Sequence, residues 1–266
     1  MAGMVDIHCH VLPAVDDGST SIQMSLNMLR CGLAEGITGA VLTPHIHPFD
    51  GPDKEALHQE RFADLKEAVA QAGLEVEISL GAEMGFRFGL AEVAGWPSGT
   101  LGGNGTYVLV DLPPGILSPG LERGFFSLRT AGFKPILAHP ERHRQLARSH
   151  EQIGRLRQQE LLFQVNAGSI LGQFGRRAQR TAEMLLHQGW VEFVASDGHD
   201  LGKRPFSLVA ARARVEELCG GREARRLFVE NPGRVRRGEG IEGADASFPR
   251  PLQSPGLLKR LLGAKR

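Results

Sequence analysis

Asp6-Ile7-His8-Cys9-His10 lies in a short apolar stretch near the N-terminus, and its reading decides how the rest of the chain is understood. Side chains alternate along a strand, so His8 and His10 point one way and Cys9 the other, with Asp6 on the histidine side one step deeper. Two neutral imidazoles converging at a strand end are good ligands for a borderline divalent metal, and such sites recruit further His or carboxylate ligands from distant positions. The chain offers candidates in order: Asp16-Asp17-Gly18, Thr43-Pro44-His45, Gly81-Ala82-Glu83, Asp111-Leu112-Pro113, Ala138-His139-Pro140-Glu141-Arg142 and Ser196-Asp197-Gly198-His199. Nearly all follow an apolar run: Thr38 to Leu42, Val76 to Leu80, Tyr107 to Val110, Pro135 to Ala138 and Val191 to Ala195. Their β-branched and aliphatic residues suit parallel strands covered on both faces. Polar residues at the C-terminal ends of successive barrel strands read as catalytic.

Segments of helical period fill the gaps. Ser21 to Glu35 carries Ile22, Leu26, Leu29 and Leu33 on one face, and Lys54 to Ala72 carries Leu57, Phe62, Leu65 and Val69. Further helices are expected near Leu121 to Ala131, Glu151 to Gln159, Arg176 to Gln188, Ser207 to Leu218 and Ala224 to Glu230, with Asn231-Pro232-Gly233 stopping the last. With a strand through Leu162 to Ala167 this makes about seven strand-helix units, fewer than the eight of a regular TIM barrel. A distorted or incomplete α/β barrel over residues 1–240 is the expectation. Gly233 to Gly256 is expected to leave the barrel, and 241–266 to be a tail whose last part, Leu257 to Arg266, reads as a frayed basic terminus more readily than as an amphipathic helix.

The 266 residues suffice for one barrel-sized domain. Hydrophobic content of 41% and charged content of 23% are ordinary for a soluble globular chain. No apolar run approaches the ~20 residues that cross a bilayer. Asp6, His8 and His10 fall where the apolar region of a leader would lie, so a cytoplasmic protein is expected. Cys9, Cys31 and Cys219 have no CxxC spacing, which argues against a disulfide framework or a thiolate zinc cluster. A net charge of +1, one Tyr and two Trp give neither a basic surface nor a stacking platform for nucleic acid.

Taken together, these motifs resemble the polymerase and histidinol phosphatase (PHP) superfamily. Within it, DIHCHVLPAVDDG (Asp6 to Gly18) combined with AHPER (Ala138 to Arg142) resembles the bacterial CpsB-type protein-tyrosine phosphatases of capsular and exopolysaccharide synthesis. The similarity runs from about Met4 to Gly240. The resemblance implies a distorted (β/α)7 TIM-like barrel holding three divalent ions, most often Mn²⁺, with iron or zinc as alternatives. Carried over by position, it gives His8, His10, Glu83 and Asp197 to a first metal. Glu83 then bridges to a second ion shared with Asp111 and His139, and Asp17, His45 and His199 hold a third. The family usually has Glu where this chain has Asp111, and Asp16 is the substitute if Asp17 turns outward.

Such cations neutralise phosphoryl oxygens and lower the pKa of water to give a hydroxide nucleophile, so no thiol route is needed. Arg142, three residues after His139, and Arg204, five after His199, are the expected phosphate-orienting groups, because guanidinium clamps phosphate bidentately. Lys203 is the alternative to Arg204. His47 and His143 lie near enough in sequence to line the site, but neither is assigned a catalytic role. The reading is a metal-dependent protein-tyrosine phosphatase whose partner is a phosphotyrosine protein, a cytoplasmic bacterial tyrosine kinase controlling polysaccharide export. The alternatives are a phosphatase of histidinol phosphate or another small phosphomonoester, a metal-binding scaffold with lost catalysis and, ranked last, a nuclease.

Overall fold

The computed structural model describes residues 3–115, 117 and 120–241. Strand β1 (Met4–Cys9) pairs in parallel with β2 (Ile37–Leu42), and β2 with β4 (Glu77–Leu80). A second parallel sheet runs in the order β3 (His45–Ile46), β5 (Glu83–Gly85), β6 (Tyr107–Asp111), β7 (Lys134–Ala138), β8 (Leu162–Asn166) and β9 (Phe193–Ala195). Only Thr43-Pro44 separates β2 from β3, and only Gly81-Ala82 separates β4 from β5. Pro44 has no N–H to give to a ladder, so the sheet breaks there and each pair of short strands is one bent pass of chain. The nine strands of the described residues therefore make seven passes.

The ladder is interrupted, yet its two edges meet. Asp197 N–H donates to the His8 carbonyl at 2.8 Å, and His10 N–H donates to the Gly198 carbonyl at 2.8 Å. The Asp6 carboxylate joins the same seam by accepting from the backbone N–H groups of His8 and Ser196. This corrects the expectation that Asp6 shares the histidine face. Val5 and Ile7 belong to the inner cluster, and a register irregularity between Asp6 and Cys9 re-aims the strand before His8. Burial pushes Asp6 up to about 6 despite those hydrogen bonds.

Helices α1 (Ile22–Ala34), α2 (Pro52–Gln71), α4 (Leu121–Thr130), α5 (His150–Arg157), α7 (Gly175–His187) and α8 (Val209–Cys219) follow the expected segments. Short helices α3 (Leu90–Ala94) and α6 (Ala167–Ile170) are additions. Ser21 caps α1 by accepting from Met24 N–H at 3.2 Å, which is why that helix starts where the polar run ends. Leu26, Leu29, Leu65, Phe125, Ile153, Leu185 and Val215 on these helices pack on the outward strand residues Val108, Val110, Leu137, Val165 and Val194. The alternate residues Tyr107, Leu109, Ile136, Leu162, Phe193 and Ala195 fill the interior. Period-two alternation thus places Asp111, Gln164, Asn166 and Asp197 inward at the strand ends.

The C-terminal part corrects two expectations. Asn231-Pro232-Gly233 does not stop a helix: a π-turn over Arg226–Glu230 follows α9 (Gly221–Arg225) and leads into α10 (Asn231–Arg236), with Pro232 in its first turn. That position needs no intrahelical N–H, so proline starts a helix there as readily as it breaks one elsewhere. Nor does Gly233 to Ile241 leave the barrel. Val235 and Ile241 are buried in the interior cluster, and Tyr107 Oη donates to the Glu239 carbonyl at 2.7 Å. Residues 242–266, including the basic segment from Leu257, lie outside the described residues. Among the described residues no helix is long and apolar enough to cross a membrane.

Candidate metal centre

The ends of the strands bring the predicted ligands together. His8 Nε2 lies 3.2 Å from Glu83 Oε2 and 3.5 Å from Asp197 Oδ1. His10 Nε2 lies 3.3 Å and 3.4 Å from the same two oxygens, and 3.4 Å from His8 Nε2. A tetrahedron built on metal-ligand bonds of about 2.05 Å has edges of about 3.3 Å. The imidazole–imidazole and imidazole–carboxylate separations match those edges, and the ligand atoms of His8, His10 and Asp197 form one group close enough for a single ion, a donor set suited to manganese, iron or zinc.

Both imidazoles are held by their other nitrogen. His8 Nδ1 donates to Gln164 Oε1 at 2.8 Å and His10 Nδ1 to Asp16 Oδ2 at 2.8 Å, which turns both Nε2 atoms toward the cage. Asp16 also accepts from the N–H groups of Gly18 and His45, which makes it the orienting carboxylate and leaves Asp17 as the candidate ligand. The turn is packed against the strand: a Cβ on Gly18 would meet the His10 carbonyl oxygen at 2.2 Å.

Asp17 Oδ1 stands 3.4 Å from both His45 Nε2 and His199 Nε2. With His10 these residues form a second group whose ligand atoms are close enough for one ion. His8, Glu83 and His139 form another, with His139 Nε2 at 2.8 Å from Glu83 Oε1. Asp111 stands apart: its Oδ1 is 3.7 Å from His139 Nδ1, the ring nitrogen turned away from Glu83. One ring nitrogen serves one ion, so in this geometry Asp111 and Glu83 do not meet on the same face of His139.

Burial alone would raise Glu83 and Asp197, but the surrounding imidazoles outweigh it and hold both well below the usual carboxylate range. The carboxylates in turn hold protons on the rings against the cost of burial. His10 is raised well above its ordinary value through Asp16, Asp197 and Glu83, and His139 is raised to about 9. His199 goes the other way, to about 4, because burial and the nearby His10 and Arg204 charges disfavour its cation. His139 and Asp197 have positive φ, 32° and 53°, backbone strain concentrated on two candidate ligands.

The predicted phosphate-orienting residues also converge. Arg142 Nη1 and Arg204 Nη2 each donate to Asp197 Oδ2 at 2.6 Å, the oxygen facing away from His8 and His10. Asn166 Nδ2 donates to that oxygen as well, at 2.6 Å, and Gln164 Nε2 donates to Asn166 Oδ1 at 2.8 Å. Gln164 and Asn166 carried no expectation from sequence. Their signal was present: Leu162-Phe163-Gln164-Val165-Asn166 places two amides on alternate positions of a strand, the spacing of His8 and His10. His143 instead ties its loop together, pairing with the Pro113 carbonyl at 3.2 Å and accepting from Leu146 N–H. His47 stacks on His45 with ring centroids 5.3 Å apart.

Spacing alone does not exclude a thiol, because Cys219 has Arg225 six residues on. The structure does. Cys219 ends helix α8, where a phosphate-cradling loop would follow a strand. Burial and Glu223 push its thiol up to about 11, and Arg225 is paired with Glu230 at 2.6 Å.

Comparison with known proteins agrees with this geometry. The chain is 29% identical to the tyrosine-protein phosphatase YwqE of Bacillus subtilis, over 86% of this chain and 89% of YwqE. It is 25% identical to the tyrosine-protein phosphatase CpsB of Streptococcus pneumoniae, over 87% of this chain and 98% of CpsB. A crystal structure from work on YwqE and CpsB, described as metal-dependent tyrosine phosphatases, superposes with a TM-score of 0.82 at 27% identity, covering 94% of this chain and 98% of the other. A lactonase from Listeria monocytogenes shares the fold alone, with a TM-score of 0.57 at 13% identity, over 90% of this chain and 96% of that one. The family profile of capsular polysaccharide synthesis, CpsB/CapC, matches residues 4–237, and the chain belongs to that family.

Proposed function

We propose that this chain is a metal-dependent phosphoric monoester hydrolase that removes phosphate from tyrosine side chains of proteins. The observation that carries the reading is the cluster of His8, His10, Glu83 and Asp197, in which each imidazole lies 3.2 to 3.5 Å from both carboxylates, beneath two arginines. We assign His8, His10, Glu83 and Asp197 to one divalent ion, Glu83 and His139 to a second, to which Asp111 must swing round from the Nδ1 side of His139, and Asp17, His45 and His199 to a third, with Mn²⁺ as the expected metal. When bound, such ions supply charge neutralisation at the phosphoryl oxygens and a water of lowered pKa.

The chain's own residues do the rest. Gln164 and Asp16 fix which ring nitrogen His8 and His10 present. Arg142 and Arg204, now on Asp197 Oδ2, are aimed where a phosphoryl group would arrive and can exchange that carboxylate oxygen for phosphate oxygens. Asn166 remains to hold Asp197. A phenolate leaving group, with a reference pKa near ~10, departs with less protonation than an alkoxide, which matches a site without a dedicated proton donor. The partner we propose is a cytoplasmic tyrosine kinase domain governing polysaccharide export, with residues 1–240 as the catalytic unit and 241–266 as a tail.

Initial rates of the Mn²⁺-loaded protein on a phosphotyrosine peptide, a phosphoserine peptide and histidinol phosphate test this. The expected order puts the phosphotyrosine peptide first. A faster rate on histidinol phosphate would move the assignment to a small-molecule phosphatase.

A further inference from the structure

Beside Arg204 opens a small cleft whose other lining residues have no assigned role. Its lining mixes apolar Ala167, Leu171, Phe174 and Pro205 with polar Gln173, Ser196, Arg204 and Ser207. The cleft thus sets apolar side chains beside the guanidinium that reaches Asp197. Leu171 is 39% exposed there, one of the few large apolar side chains of the fold left open to solvent. Phe174 has a second contact: the Arg142 guanidinium carbon lies 4.2 Å from its ring centroid, a cation-π arrangement that braces the guanidinium.

The backbone beneath this wall is built for it. A Cβ on Gly168 would come within 2.8 Å of Phe174 Cε2 and 2.6 Å of Gln173 Oε1, so the Phe174 ring packs directly on the α6 backbone and a side chain at 168 would push on it. The φ of Gly172 is +81°, which lets the chain turn there. Apolar side chains beside one phosphate-orienting guanidinium, Arg204, with Phe174 against the other, Arg142, match an aromatic ring carrying a phosphate.

We propose that Leu171 and Phe174 form the subsite for the aryl group of the substrate, with Phe174 also positioning Arg142, so that preference for aryl over alkyl phosphomonoesters is set by the turn after β8. This rests on the phosphatase reading above, and the test separates the two. Calorimetry on the Mn²⁺-loaded protein compares phenylphosphonate, methylphosphonate and inorganic phosphate, three non-hydrolysable probes that share the anionic head. The wild type is expected to bind phenylphosphonate at least about tenfold more tightly than methylphosphonate, the gain available from burying a ring in an apolar slot. Leu171→Ser should remove most of that ratio while leaving inorganic phosphate affinity within about twofold. Phe174→Leu should remove the ratio and also weaken inorganic phosphate, because Arg142 loses its plate.

Equal affinity of the wild type for the two phosphonates would overturn the subsite, as would a wild-type ratio in both variants with unchanged metal content. A preserved aryl preference in a protein that does not hydrolyse phosphotyrosine peptide would instead overturn the phosphatase reading and leave the subsite standing.

Discussion

At the scale of single residues, Asp197 divides the work of the site. One oxygen faces His8 and His10, and the other gathers Arg142, Arg204 and Asn166. Removing Arg142 therefore leaves two donors on Oδ2, and metal content measured by plasma emission should stay at the wild-type level in Arg142→Ala. Transition-state stabilisation, read from kcat/KM on phosphotyrosine peptide, should fall by about 2 to 4 kcal/mol. Arg142→Lys should rescue poorly, because an ammonium neither forks onto phosphate nor lies flat on Phe174. Gln164 acts at one remove. Gln164→Leu strips the acceptor from His8 Nδ1 and the donor from Asn166, so Mn²⁺ affinity by calorimetry should drop about 10- to 100-fold with the fold intact by circular dichroism. For Asp111 the expected response is asymmetric. Asp111→Glu adds the methylene that lets a carboxylate reach past His139 and should raise occupancy of the second ion, while Asp111→Asn should lower it; anomalous scattering reads both. Equal occupancy in both variants would remove Asp111 from the ligand set.

At the scale of elements, helix α2 carries a pH-sensitive contact of its own. His58 is fully buried, neither ring nitrogen has a hydrogen-bond partner, and burial with the nearby Lys54 lowers it to about 4. The folded protein thus binds this proton more weakly than the unfolded chain does. The resulting stability is complete above the unfolded value of 6.5 and is lost as pH falls from there toward 4. At about 1.4 kcal/mol per unit the effect is of order 3 kcal/mol. Urea unfolding between pH 7.5 and 4.5 should show this slope in the metal-loaded wild type, and His58→Leu should flatten it. An unchanged slope would assign the acid sensitivity to the carboxylate-imidazole cluster. On the same element Glu55 is buried and accepts from the Ser98 backbone and hydroxyl, tying α2 to the loop before β6.

At the scale of the whole molecule, ligands from β1, from the turn after it and from the ends of β3, β5, β7 and β9 converge, so a cation there joins distant parts of the chain. Binding to the folded state alone stabilises it by mass action, and chelation should lower Tm as well as abolish turnover, with Mn²⁺ restoring both. Binding must displace protons held on His10 and His139, so apparent metal affinity should rise with pH toward the value of about 9 reached by His139, with proton release detectable in weakly buffered solution. Affinity that falls with rising pH would contradict the ligand set.

The sequence by itself determined the strand-helix alternation, because period-two and period-3.6 patterns are local. It also named the clustered His, Asp and Glu residues, because they sit in or close after the apolar runs that become strands. It could not fix the roles of Asp6, Asp16, Gln164, Asn166 and Phe174. Whether a polar side chain is a ligand, a ligand's hydrogen-bond partner or a seam between strands depends on which atoms across the barrel lie within about 3 Å. That is settled by the bulge after Asp6, by the meeting of the first and last strands, and by the packing of residues 233–241 into the floor, contacts between segments up to 190 positions apart.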